Sequence, residues 1–140
     1  MNELIQELHD IEMIKQLKHR YFRAIDMADH GLLDSVFTDD ITVDYRGGTY
    51  VWEASGKQEI IQSLKYSFHS ETAAMHTGHH PEISIHDDVN ASGIWYLQDI
   101  FYNFNENALT QGTALYKDKY VKTEELSLIH ISEPTRQIRI

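Results

Sequence analysis

Two distant segments of this 140-residue chain contain side chains that can move protons. Tyr21 and Asp26 lie in the first segment, and His76 lies in the second, fifty positions after Asp26. A phenol, a carboxylate and an imidazole together can take a proton from carbon and return it to a leaving hydroxyl group. If the two segments meet in one pocket, they predict a lyase or isomerase that needs no cofactor.

Helical spacing argues against a simple version of this site. Residues three or four positions apart share a helix face, so Asp26 points away from Tyr21 on a helix. Both can line one cavity only if the buried face of the helix is broad at that point. The residues alone favour a solvated surface carboxylate for Asp26.

Five histidines fall within a short span and raise the possibility of a metal site: His69, His76, His79, His80 and His86. On a strand, His76 and His80 would face one side and His79 the other, so three ligands could not converge easily. We therefore expect no metal site. His79, His80 and His86 are interpreted as hydrogen-bonded strand residues.

The composition indicates one globular domain and narrows the classes of partner. Hydrophobic residues make up 41% and charged residues 24% of the chain, and the net charge is -10. This acidity disfavours nucleic acid and anionic membranes as partners. There is no cysteine, signal-peptide pattern, long apolar run or glycine-rich phosphate loop. We expect a cytoplasmic protein without a cofactor.

The apolar periodicity predicts an α+β fold. A long amphipathic helix is expected over residues 3–29, ended or interrupted at Gly31, with a short second helix after it. A hairpin turning at Gly47-Gly48 follows, and a third helix opens with a capping box at Ser55 and Gln58. Period-two patterns then predict strands over residues 73–86, 91–105 and 110–122. An antiparallel sheet curved around the long helix would leave a cavity at its open end.

Aromatic residues are frequent on the predicted strands. Most are expected in the core, because aromatic side chains on sheets chiefly bury area. A few could form an apolar pocket with phenolic hydroxyl groups, suited to a flat polycyclic ligand. Tyr45, Trp95 and Tyr116 are the residues assigned to substrate binding.

Several segments resemble a known family. Residues 10–18 and 21–26 resemble the opening helix of SnoaL-like proteins in the nuclear-transport-factor-2-like (NTF2-like) superfamily. Residues 76–85, 93–99 and 112–120 are similar to the bile-acid 7α-dehydratase branch in particular. The resemblance covers residues 10 to about 123.

The resemblance implies a cone-shaped α+β fold and a homodimer formed through the sheet. It implies that His76 is the general base or acid, that Asp26 orients it, and that Tyr21 polarises a substrate oxygen, with Tyr45 at a further tyrosine position. The implied activity is dehydration of a hydroxylated steroid-like, polyketide-like or other polycyclic molecule. An isomerase using the same residues and a non-catalytic binding or dimerisation module remain alternatives.

The C-terminal segment has a different character. Residues 126–136 resemble the conceptual translation of a transposase adapter used in sequencing libraries. We therefore predict a SnoaL-like domain over residues 1–125 and a non-native tail over residues 126–140. The last strand of the dehydratase carries an arginine near the site, and here that strand is expected to be missing or replaced. Arg136 and Arg139 are not taken as substitutes for that arginine.

Overall fold

A computed structural model describes residues 2–47, 49–123, 129–131 and 135–139, the last two segments by their backbone. Its helices are α1 (Glu3–Asp26), α2 (His30–Val36) and α3 (Lys57–Ser67). Its strands are β1 (Thr42–Gly47), β2 (Tyr50–Ser55), β3 (Thr72–Ile85), β4 (Asn90–Asn103), β5 (Ala108–Lys122), β6 (Ile129–Ile131) and β7 (Thr135–Arg139). In these segments, every helix is too short or too polar to cross a membrane.

The strands form one mixed sheet in the order β2-β1-β7-β5-β4-β3, with β6 also paired to β5. The β1–β7 pair is parallel, and the other described pairs are antiparallel. The long strands β3, β4 and β5 twist as sheets do and curve around α1. The predicted α+β fold, a long N-terminal helix on a curved sheet, is confirmed.

Helix α1 buries one face. Buried side chains recur at three- and four-residue steps from its middle to its end: Ile14, Leu17, Lys18, Tyr21, Phe22, Ala24 and Ile25. Leu4 and Leu8, which continue the same three- and four-residue spacing towards the start of the helix, are exposed. The apolar spacing thus begins near residue 4, whereas the first buried side chain of α1 is Ile14.

The end of α1 differs from the prediction. The helix stops at Asp26, and Ala28 adopts a left-handed backbone conformation with φ of 51°. The Asp29 carboxylate then begins α2 by accepting a hydrogen bond from the backbone N–H of Leu32 at 3.0 Å. Gly31, predicted to break the helix, lies inside α2.

Two predicted turn signals have different outcomes. The capping box is wrong, because Ser55 ends β2 and Gly56 caps α3 without a side-chain hydrogen bond. Gly56 has φ of 93°, a conformation that glycine adopts without strain. The predicted Gly47-Gly48 hairpin connects β1 to β2, although Gly48 itself lies outside the described residues.

The C-terminal segment contributes to the sheet. Strand β7 lies between β1 and β5, and its backbone register pairs Arg136 with both Tyr45 and Tyr116. The position of the last strand, expected to be missing or replaced, is therefore occupied by residues of this segment. Its proposed adapter origin and the domain boundary at residue 125 stay predictions.

A buried ion pair joins α1 to β5. Lys18 Nζ lies 2.7 Å from Asp118 Oδ2, and both side chains are fully buried. The Tyr120 hydroxyl donates to Asp118 Oδ2 at 2.8 Å, and Trp95 Nε1 donates to the Tyr120 hydroxyl at 3.1 Å. The hydrogen bond from Tyr120 compensates Asp118 Oδ2 for part of the hydration that the carboxylate has lost.

The buried tyrosines make the fold sensitive to alkaline pH. Burial, reinforced by the charge of Asp118, raises the pKa of Tyr120 well above its ordinary value, and burial likewise raises the pKa of Tyr21. Tyrosine in the unfolded chain ionises near pH ~10, whereas the buried tyrosines ionise only at higher pH. Their contribution to the free energy of unfolding is therefore complete below that pH and declines above it. Each tyrosine should steepen the decline by about 1.4 kcal/mol per pH unit.

Urea unfolding between about pH 9 and about pH 11 tests this expectation. The Tyr120→Phe substitution removes one ionising group, so its free energy of unfolding should fall less steeply with pH than that of the wild type. Tyr66→Phe, at an exposed residue, should keep the wild-type slope. Equal slopes in Tyr120→Phe and wild type would contradict the assignment.

Candidate active site

The carboxylate of Asp26, at the last residue of α1, contacts His76 in β3 through both backbone and side chain. The backbone N–H of His76 donates to both Asp26 oxygens at 3.1 Å. His76 Nδ1 lies 2.6 Å from Asp26 Oδ1. The His76 side chain is only 4% exposed, and that of Asp26 is 20% exposed. The structure thus brings together the two groups whose contact the sequence left open.

This contact determines the tautomer of the His76 imidazole. A carboxylate can only accept hydrogen bonds, so Nδ1 carries the proton that lies between the two groups. In the neutral ring, Nε2 then has a free lone pair and can act as a base. The His76 side chain lines the cavity described below.

Two aromatic rings hold the imidazole in place. Phe22 of α1 stacks on His76 with an interplanar angle of 13° and a centroid separation of 6.1 Å. Phe68 meets it edge-on at 5.8 Å. The ring is thereby fixed by packing as well as by Asp26.

Three tyrosines form a cluster in the cavity that His76 also lines. The Tyr21 and Tyr45 hydroxyls are 3.1 Å apart, and the Tyr116 ring lies edge-on to both at centroid distances of 6.3 and 6.2 Å. Burial, with added repulsion from Tyr116 and Tyr45, raises the pKa of Tyr21 well above its ordinary value. Tyr21 therefore stays protonated at neutral pH and can serve as a hydrogen-bond donor.

The imidazole and the phenols line a cavity of about 600 Å³. Most of its lining side chains are aromatic: Tyr21, Tyr45, Tyr50, Trp52, Tyr66, Phe68, Phe101 and Tyr116. Tyr50 and Tyr66 are exposed, so the cavity is open to solvent on their side. Its size and apolar lining suit a small organic molecule.

Comparison with known proteins agrees with this architecture. The sequence profile described as the SnoaL-like domain matches residues 6–130. The chain belongs to the SnoaL-like family. Its fold is similar to that of an NTF2-like superfamily protein from Salmonella enterica serovar Typhimurium. The TM-score is 0.76, with 14% identity over 89% of this chain and 87% of that one.

Two further structures share the fold of this SnoaL-like chain. A putative scytalone dehydratase from Novosphingobium aromaticivorans has a TM-score of 0.83, with 17% identity over 96% of this chain and 87% of that one. The protein LinA has a TM-score of 0.79, with 17% identity over 97% and 90% of the two chains. At these identities the likeness establishes the fold alone.

Trp95, assigned to substrate binding from the sequence, does not line the cavity. It is 1% exposed, and its indole N–H donates to Tyr120 in the core. The strand pattern could not distinguish the two environments, because core and cavity lie on the same side of the curved sheet. Tyr45 and Tyr116 do line the cavity.

Asp99 is a cavity residue that sequence reasoning missed. It lies on β4 directly opposite His76 in the β3–β4 register, and its side chain lines the cavity. Directly opposed residues place their side chains on the same face of an antiparallel pair. The β3–β4 register would have identified Asp99, but the sequence pattern does not determine which residues of the two strands pair.

The other four histidines considered as metal ligands, His69, His79, His80 and His86, do not line the cavity. His79 and His80 are exposed, and His86 Nε2 lies 2.7 Å from the Ser92 hydroxyl. A β-bulge between His79 and Glu82, with His80 at φ of 52°, interrupts the alternation assumed for His76 and His80. Within the described residues, no three His, Asp or Glu side chains are grouped to hold a metal ion.

Gly78 provides a test of the packing around Phe22, the ring that stacks on His76. A Cβ atom at Gly78 would lie 2.5 Å from Phe22 Cε2, so the Gly78→Ala substitution must displace the ring that stacks on His76. We expect a loss of about 1–3 kcal/mol in the free energy of unfolding, measured with urea.

Gly31→Ala is the matched control, since its Cβ would meet only Asp29 Oδ1, at an ordinary 3.7 Å. Alanine in α2 should leave stability unchanged or increase it by up to about 1 kcal/mol. Equal unfolding curves for the two alanine variants would refute the close packing at Gly78.

Proposed function

We propose that this SnoaL-like protein is a cofactor-independent lyase of the dehydratase type. The observation that carries the proposal is the Asp26–His76 pair, which leaves His76 Nε2 as a base beside phenolic donors in an aromatic cavity. The proposed substrate is a hydroxylated steroid-like, polyketide-like or other polycyclic ketone. The similarity of residues 76–85, 93–99 and 112–120 to the bile-acid 7α-dehydratase branch supports this class.

The proposed elimination uses one imidazole twice. His76 Nε2 takes a proton from a carbon alpha or vinylogous to the substrate carbonyl, and the C–H electron pair forms the enolate. The phenol cluster around Tyr21 donates to the carbonyl oxygen and stabilises the negative charge that develops there.

The second half of the reaction expels water. The enolate electrons form the new C=C bond as the C–O bond breaks, and the imidazolium returns its proton to the leaving hydroxyl group. Asp26 stabilises the imidazolium between the two steps, as the aspartate of a catalytic triad does. Asp99 supplies a further carboxyl group opposite His76, in reach of the same ligand.

The dyad is tested by His76→Ala and Asp26→Asn. Each should lower turnover by roughly 10²–10⁴-fold while the fold persists. The alanine removes the base. The asparagine amide can donate to Nδ1 and so favours the tautomer whose Nε2 is already protonated.

The assay follows loss of water from a 7α-hydroxy-3-oxo-4-ene steroid by mass spectrometry, with circular dichroism to check folding. His79→Ala, at an exposed histidine on the same strand, should retain wild-type turnover. Full activity in either dyad variant would eliminate the proposed mechanism. A product with the mass of the substrate would identify an isomerase, and saturable binding without any product would identify a binding module.

We also propose a homodimer formed through the outer face of the sheet. Met75, Ile94 and Tyr96 expose apolar surface there. A charge at Tyr96, introduced as Tyr96→Glu, should shift the sedimentation coefficient of the protein towards that of a monomer. A monomeric wild-type protein in the same ultracentrifugation experiment would exclude the dimer.

A further inference from the structure

The Lys18–Asp118 ion pair takes no part in the proposed elimination. A contribution to the stability of the fold does not explain well why the pair is buried. Both side chains are fully buried. Removing two charges from water is costly, and well-packed apolar residues of similar volume often stabilise a protein as much or more. The surroundings of the ammonium group indicate what else the pair does.

The Lys18 ammonium lies among three aromatic rings. Its Nζ atom is 3.6 Å from the ring centroid of Tyr116, 4.7 Å from that of Tyr21 and 5.1 Å from that of Phe22. Tyr116 and Tyr21 line the cavity, and Phe22 stacks on His76. One buried cation therefore touches the rings that support both halves of the candidate site.

The arrangement follows from the periodicities of two elements. Lys18, Tyr21 and Phe22 share one face of α1, because they are three and four positions apart. Tyr116 and Asp118 share one face of β5, because they are two positions apart. The Lys18 ammonium therefore contacts both the ring of Tyr116 and the carboxylate of Asp118.

We propose that Lys18 is a positioning residue that strengthens the cavity phenols as hydrogen-bond donors to an anionic oxygen of the bound ligand. The proposal rests on the proposed function of these phenols. A cation over the face of a phenol ring is attracted more strongly as negative charge builds up on that ring. The phenol proton is then shared more readily with an enolate or phenolate oxygen in the cavity.

A binding probe tests this without turnover. The probe is 4-nitrophenol, whose phenolate absorbs visible light, so the ratio of bound phenolate to bound phenol can be read at fixed pH. Lys18→Met/Asp118→Asn removes both charges, and the asparagine carbonyl can still accept from the Tyr120 hydroxyl. We expect the bound ratio to fall about three- to tenfold relative to the wild type.

A second ion pair between the same two elements provides the matched control. Lys122 Nζ of β5 lies 2.9 Å from Asp10 Oδ1 of α1, and neither residue lines the cavity. Asp10→Asn/Lys122→Met should leave the bound ratio within about twofold of the wild type. Urea unfolding verifies that each variant is folded, and Lys18→Leu/Asp118→Asn replaces the first variant if that one does not fold.

The outcomes separate this proposal from the proposed function. An unchanged phenolate ratio in the folded Lys18 variant overturns the role of Lys18, whatever the dyad variants show. A reduced ratio in the Lys18 variant alone supports it, even if the protein proves to bind ligands without turning them over. An equal reduction in both ion-pair variants would indicate a general structural effect and would also overturn it.

Discussion

The carboxylate of Asp26 fixes the relation between the end of α1 and the middle of β3. It accepts from the backbone N–H and from the imidazole of the same histidine, so it sets the position of the strand and the proton arrangement of the ring together. A side chain that satisfies a backbone donor at such a crossing cannot move without leaving that donor unpaired. The cavity, the imidazole and the Tyr21 phenol of α1 all depend on this crossing.

One part of the site is built from two facing rows of side chains. One row follows the buried face of α1, and the other follows alternate residues of β5. Aromatic rings fill most of the space between the rows, and the Lys18–Asp118 pair lies deeper, away from solvent. Polar chemistry is thus confined to a few groups whose hydrogen-bonding partners are already in place, which reduces the reorganisation that a reaction would require.

The sequence predicted the helices and strands better than it predicted the turns between them and the surroundings of their side chains. Periodicity alone identified the long helix and the three long strands, and the family resemblance supplied the link between Asp26 and His76. Local rules failed where backbone conformation decided the outcome, as at Ala28, which ends α1 in a left-handed conformation, and at Gly56, which caps α3 in place of Ser55.

Side-chain surroundings were harder to predict, because strand register is a property of the folded sheet. Asp99 was missed because its position opposite His76 exists only after β3 and β4 pair. Trp95 was misplaced because a strand pattern shows which side of the sheet is buried but not whether core or cavity covers it. Tyr45 and Tyr116 come from separate strands, and both reach the cavity.

The bulge in β3 has a consequence for how ligand preference can diverge in this fold. The bulge puts His80 and Pro81 opposite the single residue Trp95, because His79 pairs with Tyr96 and Glu82 with Ile94. Deleting one of the two would leave every other strand partner unchanged but would remove the extra twist that a bulge imparts. A one-residue change in length, at a position that does not line the cavity, can therefore reshape the cavity while its chemical groups stay the same.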